Sequence, residues 1–252
     1  MVLLVYNVYY FKGGQKMNSL RKTKVVFAMV LVLSLVITCG VFPVAAQERG
    51  LVIGDANGDG TVNLTDLVML NRYVAGSINT FPYDMADYTM DVNDDGYINQ
   101  QDADLLNRFI SGTLASLPAA DLIKNMPQTV FQYSYVNGAW VYTNIRISID
   151  NEGNVYASGT LIPKVDPSII KVPRIELEAM YLDLYLASQG TITSPQNAAC
   201  DMGIGVYGGN IVKNGSYQHV FLKQRGDVEQ ENLSPYTQTL VDWLDGYIDM
   251  IY

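Results

Sequence analysis

Apolar residues along the chain keep three rhythms, and each predicts a different kind of structure. From Val25 through Ile37 towards Val44 they run almost without interruption. Further on, Leu70, Tyr73 and Val74, and again Leu106, Phe109 and Ile110, stand at i, i+3 and i+4, one face of a helix. Gly76 and Gly112 follow where such helices end. From Thr129 the period changes. Thr129–Tyr135 and Ala139–Asp150 are rich in β-branched and aromatic residues and flank Asn137-Gly138, a hairpin signal. Val141, Ile145, Ile147 and Ile149 share the face expected to be buried, with Trp140 and Tyr142 on the other. Glu176–Ser188 predicts a helix with Leu177, Met180, Tyr181 and Leu184 on one side. A second hairpin follows, Gly203–Val212 and Tyr217–Gln224, turning at Asn214-Gly215. Ser234-Pro235 opens a last helix whose apolar face is Leu240, Trp243, Leu244, Tyr247 and Ile251. The order β-β-α-β-β-α predicts an α+β module over 128–252, an antiparallel sheet covered by two helices.

The unbroken run belongs to an address segment rather than to a fold. Residues 1–46 hold no acid and five basic residues, and the run closes on Val44-Ala45-Ala46. A basic start, an apolar centre and small residues before the cut are the parts of a secretory signal peptide, which predicts a secreted, extracellular protein. Met17 opens a better-proportioned version than Met1. A membrane anchor and a lipid anchor at Cys39 are the competing readings.

Charge sharpens the picture. The chain has 16 basic and 25 acidic residues and a formal charge of −9. Without residues 1–46 there remain eleven basic against the same 25 acids, a net of −14. An acidic balance without clustered Lys and Arg excludes nucleic acid as a partner. Cys39 and Cys200 are the only cysteines, so a disulfide framework is excluded too. Cys200, after Ala198-Ala199, is expected to be a small buried residue rather than a nucleophile.

The acids gather in a repeat. Asp55-Ala56-Asn57-Gly58-Asp59-Gly60-Thr61-Val62-Asn63-Leu64-Thr65-Asp66 recurs 36 residues later, beginning at Asp91. Calcium takes six to eight oxygens, and a twelve-residue loop can wrap them around one ion. Asp55, Asn57 and Asp59 stand at positions 1, 3 and 5, and Asp91, Asn93 and Asp95 match them. Gly60 and Gly96 permit the turn at position 6. Thr61 and Tyr97 offer backbone carbonyls, Asn63 and Asn99 act through water, and Asp66 and Asp102 close each shell. Two Ca²⁺ ions are therefore expected. Val62 and Ile98 should point inward, where the loops pair. Only Gly50 to Gly54 precedes the first loop, so each unit is a loop and an exit helix without an entering helix.

With these motifs, residues 51–116 resemble a type I dockerin, the module that plugs secreted enzymes into a cellulosome scaffold. The resemblance implies an all-α, calcium-binding module of paired EF-hand-like loop-helix repeats. It implies that the exit helices bind the cohesin domain of a scaffoldin. It also implies that the protein serves in plant polysaccharide, chiefly cellulose, degradation. The family's recognition positions fall on Leu64, Thr65, Asn71, Arg72, Gln100, Gln101, Asn107 and Arg108. Leu64-Thr65 against Gln100-Gln101 breaks the near-symmetry on which two-way docking depends.

Residues 117–127 are expected to be a linker to the passenger module at 128–252. No catalytic motif marks that module. His219 is the chain's one histidine, and the acids available for a glycosidase pair (Glu176, Glu178, Asp183, Asp201, Asp227, Glu229) belong to no recognisable motif. Three classes stay open: a glycoside hydrolase acting on O-glycosyl bonds, a carbohydrate-binding module using Trp140 and Tyr142, and a protease inhibitor. For the last, the C-terminal half is loosely similar to emfourin-like inhibitors of thermolysin-type metalloproteases, so polysaccharide and protease are both candidate partners.

Overall fold

The computed structural model describes residues 49–252 apart from Trp140 and Ala199. The leader at 1–46, Cys39 and Trp140 lie outside the described residues. Residues 49–124 carry loops and helices: α1 (Leu64–Val74), α2 (Ala86–Met90), α3 (Gln100–Ile110) and α4 (Pro118–Lys124). Asn63 and Asn99 cap α1 and α3, each inside a capping box with Asp66 or Asp102. At the other ends Gly76 and Gly112 take φ of 67° and 74°. Ser77 and Thr113 then donate back to the carbonyls of Arg72 and Arg108, which closes both helices with the same two-bond cap. The pair packs through Leu70 and Leu106, each fully buried.

Two parts of this half differ from expectation. The second loop is entered by α2, because five residues are too few to leave a periodic signal. Residues 117–127, read as a linker, hold α4, with Leu117, Ala119, Ile123 and Met126 buried. Pro118 pre-sets its first turn, and the Ala119 N–H donates to the Val92 carbonyl of the second loop at 3.0 Å.

The C-terminal part is a seven-stranded antiparallel sheet: β1 (Thr129–Asn137), β2 (Thr143–Asp150), β3 (Val155–Gly159), β4 (Gln196–Asn197), β5 (Ile204–Lys213), β6 (Ser216–Gly226) and β7 (Val228–Glu231). Its order is β3-β2-β1-β5-β6-β7-β4. The hairpin at Asn214-Gly215 forms with both residues at positive φ. The short β3, β4 and β7 add to the four strands expected. Ile145, Ile147 and Ile149 are buried, but Val141 is 76% exposed. Strand β2 starts only at Thr143, so Val141 lies in the hairpin connection, off the pleat. Two helices cover one sheet face, α5 (Arg174–Ala187) and α6 (Thr237–Ile251). Helix α6 begins after Tyr236 rather than at Ser234-Pro235, with the Ser234 hydroxyl accepting from the Tyr236 N–H at 3.4 Å. Its apolar face seats Trp243 edge-on against Phe131, ring centroids 4.7 Å apart.

Helix α5 has no solvent side. Every residue from Leu177 to Leu184 is buried. One face presses on the sheet so closely that a Cβ at Gly209 would stand 2.5 Å from Leu184 Cδ2. The other face meets the helical half: Glu178 accepts from the Leu51 N–H, and Asp183 from the Tyr88 hydroxyl at 3.2 Å. The Arg174 guanidinium pairs with Glu178 and donates to the Asn151 carbonyl. The described residues from 49 to 252 accordingly pack as one unit.

Removing the wedge of α5 over the sheet should be costly, because the site is closed on both sides. Leu184→Ala is expected to lower the unfolding free energy of the full chain by about 2–5 kcal/mol in a urea titration. A loss under about 1 kcal/mol would mean that the two layers close around the gap.

Candidate metal loops and partner face

Both predicted loops fold the same way. In the first, Asp55 accepts from the N–H groups of Asn57 and Gly58 on one oxygen and of Gly60 on the other. In the second, Asp91 accepts from Asp95 and Gly96. Asn57 and Asn93 each donate to the carboxylate two places on, Asp59 or Asp95, at 2.9 Å. Those two acids then receive the N–H of Thr61 and Tyr97. Asp66 closes its loop with one oxygen on the Ala56 N–H and the other on the Asn63 N–H, both at 2.9 Å. Asp102 repeats this with Val92 at 3.0 Å and Asn99 at 2.8 Å. Val62 and Ile98 are half-buried against the shared core, as the loop pairing requires.

Burial makes these acids expensive. Asp66 and Asp102 are 0% exposed, and Asp55, Asp91 and Asp94 are buried too. No ion pair among the described residues involves any of them. Burial pushes Asp91 up to about 6 and Asp94 up to about 8, the latter helped by the neighbouring charges of Asp91 and Asp183. Asp102 is raised by the same burial. The open Asp59 is held below its ordinary range by hydrogen bonds from Thr61 and Asn57. A carboxylate buried without a cationic side chain is neutralised either by a proton or by a bound cation.

The donor set fits a hard, oxygen-seeking ion. Among the described residues no three His, Cys, Asp or Glu side chains are gathered as a metal set. A twelve-residue oxygen loop does not need such a set, since amide and backbone oxygens supply part of its shell. The residues that would hold an ion are Asp55, Asn57, Asp59, Thr61, Asn63 and Asp66 in the first loop. In the second they are Asp91, Asn93, Asp95, Tyr97, Asn99 and Asp102.

The eight residues predicted to meet a partner are all exposed: Leu64, Thr65, Asn71 and Arg72 on α1, and Gln100, Gln101, Asn107 and Arg108 on α3. Sequence reasoning missed Val68, which is 54% exposed one turn from Leu64. Leu64, Val68 and Arg72 form an apolar stripe ending in a cation, and an isolated apolar residue between two core positions reads as core. The matching line on α3 is Gln100, Asp104 and Arg108, wholly polar, with Gln100 donating to Asp104 at 3.0 Å.

The acids of the sheet module do not converge. Glu176 accepts from the Trp243 indole N–H and the Tyr247 hydroxyl, which ties α5 to α6. Glu178 and Asp183 face the helical half, Asp227 accepts from the Met202 N–H at 2.8 Å, and Asp201 and Glu229 are exposed. Cys200 is exposed, not buried, because it follows the short edge strand β4 rather than lying within one. His219 is exposed on β6 and bonds Asn210 at 3.2 Å. The sheet face opposite the helices forms a groove with Gln132, Ser134, Arg146, Ser148, Tyr156 and His219 along it and no carboxylate.

Residues 53–111 match the model of the Dockerin type I domain. A chain of the Clostridium thermocellum Coh-OlpC-Doc435 complex, a type I cohesin–dockerin complex, is 40% identical over 27% of this chain and 97% of its own, with a TM-score of 0.27. A chain of the complex between the third cohesin ScaC and a ScaB dockerin mutant of Acetivibrio cellulolyticus is 34% identical over 28% and 97%, with a TM-score of 0.28. No curated protein matches the chain. The chain belongs to the type I dockerin family through this segment.

The raised acids set the pH dependence of the metal-free protein. A carboxyl whose folded pKa lies above its unfolded value favours folding at low pH, and that contribution is lost as pH rises through the folded pKa. In calcium-free buffer the melting temperature should therefore rise on acidification from pH 8 towards pH 5. Asp94→Asn should flatten the profile; an unchanged slope would assign it to other groups.

Proposed function

We propose that this protein is a secreted, calcium-dependent docking component of a cellulosome. It folds its EF-hand-like loop-helix pair around two Ca²⁺ ions and binds the cohesin domain of a scaffoldin. The observation that carries this reading is the duplicated loop in which closing carboxylates, Asp66 and Asp102, are fully buried without a cationic side chain. The dockerin match and the 34–40% identity to chains from cohesin–dockerin complexes supply the partner class. The leader at 1–46 supports export, and no helix among the described residues is long and apolar enough to cross a membrane. Docking places the protein at the cell surface in plant polysaccharide degradation.

The recognition face is expected to be unequal. The apolar line of Leu64 and Val68 suits a buried contact, with Arg72 at its edge giving a planar, multidentate donor. The α3 line offers hydrogen bonds only. One docking orientation, led by α1, is therefore favoured over two equivalent ones.

For the sheet module a binding role is favoured over catalysis, because the groove on its open face has no carboxylate to serve as acid, base or nucleophile. Tyr142 and Tyr156 stay 60% and 54% exposed, which suits stacking on sugar rings. A hydrolase of O-glycosyl bonds and an emfourin-like protease inhibitor are the other outcomes of the test below.

Immobilised type I cohesin should retain the full chain in calcium and release it in EGTA. The double variant Leu64→Ala, Arg72→Ala should weaken binding at least about tenfold without moving the melting temperature. Retention that persists in EGTA would refute the calcium-dependent reading. On insoluble cellulose and xylan, retention without sugar release is expected, reduced by Tyr156→Ala. Release of reducing ends would make the module an enzyme, and inhibition of a thermolysin-like protease would make it an inhibitor.

A further inference from the structure

The second loop carries an acid that the first does without. Position 4 of the first loop is Gly58, at φ 75°, whereas the second has Asp94 at φ 54°, a backbone conformation that costs a side-chain-bearing residue energy. Asp94 is 7% exposed, and its Oδ2 is buried with no hydrogen-bond partner. The Gly bond at position 6 and the capping box that close the second loop do not involve the Asp94 side chain, and the first loop makes both with glycine at position 4. Local structure therefore does not account for this carboxylate.

Its surroundings do. Asp94 lines a cavity between the loop and the C-terminal module, together with Asp91, Tyr88, Asp183 and Tyr236. Asp183 is itself buried, and among the residues around this cavity there is no Lys, Arg or His. The module presses directly on the loop: a Cβ at Gly96 would lie 2.8 Å from the Tyr236 hydroxyl. The first loop has no such neighbour, and its Gly58 meets only Tyr83 of the helical half. Two buried carboxylates from different parts of the chain thus line one cavity beside one ion loop.

We propose that the C-terminal module completes the second calcium loop. Asp94 and Asp183 form a shared carboxylate wall, so occupancy of this loop by a divalent cation and packing of the module against it are one coupled event. The inference rests on the calcium reading above and adds a partner within the chain for one of the two ions. Asp183 acts through its charge and through Asp94, as a positioning residue outside the loop's own twelve. The two ions are consequently unequal, with the first held by its loop alone.

Calorimetric titration of the full chain with Ca²⁺, paired with thermal melts in Ca²⁺ and in EGTA, tests this. Wild type should bind two ions. Asp183→Asn keeps the shape and an acceptor for Tyr88, and should weaken one site about three- to tenfold while leaving the other unchanged. The same variant should melt higher than wild type in EGTA, where a repulsion has been removed, and gain less from Ca²⁺. Asp94→Gly, which copies the residue of the first loop, should behave alike. A purely packing role for Asp183 would instead lower the melting temperature in both buffers and overturn the proposal. Two ions bound with unchanged affinities in both variants would overturn the coupling and leave the docking function standing. No Ca²⁺ bound by wild type would remove the calcium reading and the coupling with it.

Discussion

A helix buried on every side fixes the architecture. Helix α5 must satisfy a sheet on one flank and a pair of loop-helix repeats on the other, so it carries apolar residues all round and two buried acids, Glu178 and Asp183, that each accept a bond from the other half. Each of those acids is anchored by a single donor from the helical half, the Leu51 N–H and the Tyr88 hydroxyl. Loss of the sheet would expose an apolar helix, and loss of the repeats would expose Asp183 without its donor and leave Glu178 to Arg174 alone. Neither half presents a finished surface to the other side of this helix.

The repeats are governed by a second constraint, the cost of unpaired charge. Their carboxylates serve two ends at once. They accept loop N–H groups, which fixes the turns, and they concentrate negative charge where a cation can collect it. The chain's acidity is for this reason uneven: residues 51–116 hold ten acids and only two arginines. The loops share several hydrogen bonds, such as Gly60 to Asp55 at 2.8 Å and Gly96 to Asp91 at 2.7 Å. The departures from that match, Asp94 for Gly58 and Gln100-Gln101 for Leu64-Thr65, mark where each repeat faces something different.

What the sequence disclosed followed the strength of its periodic signals. The duplicated turns and their capping residues were legible, because Asp and Asn at fixed spacing with Gly at the turn leave few other local conformations. The two hairpins and the two long helices were legible from alternation and from i, i+3, i+4 spacing. Helices of five and seven residues, α2 and α4, and the short strands β3, β4 and β7 were not, since none is long enough to repeat a pattern. Val141 misled because alternation continues past the end of a strand when nothing in the sequence marks where the pairing stops. The contact between the halves was invisible for a different reason. Asp183 and Tyr88 lie 95 positions apart, and a single sequence carries no signal that pairs them; the only hint was that α5 has too little polar face for a surface helix.

The buried helix α4, in the place where a tether was expected, changes how the protein would sit on whatever grips its exit helices. A flexible tether lets a module sweep a volume and meet its targets at a concentration set by chain length. Here no such slack exists between the α1–α3 face and the sheet groove, so the groove keeps one heading relative to its mount. On a shared mount, what it could touch would be decided by how its neighbours are spaced rather than by its own diffusion.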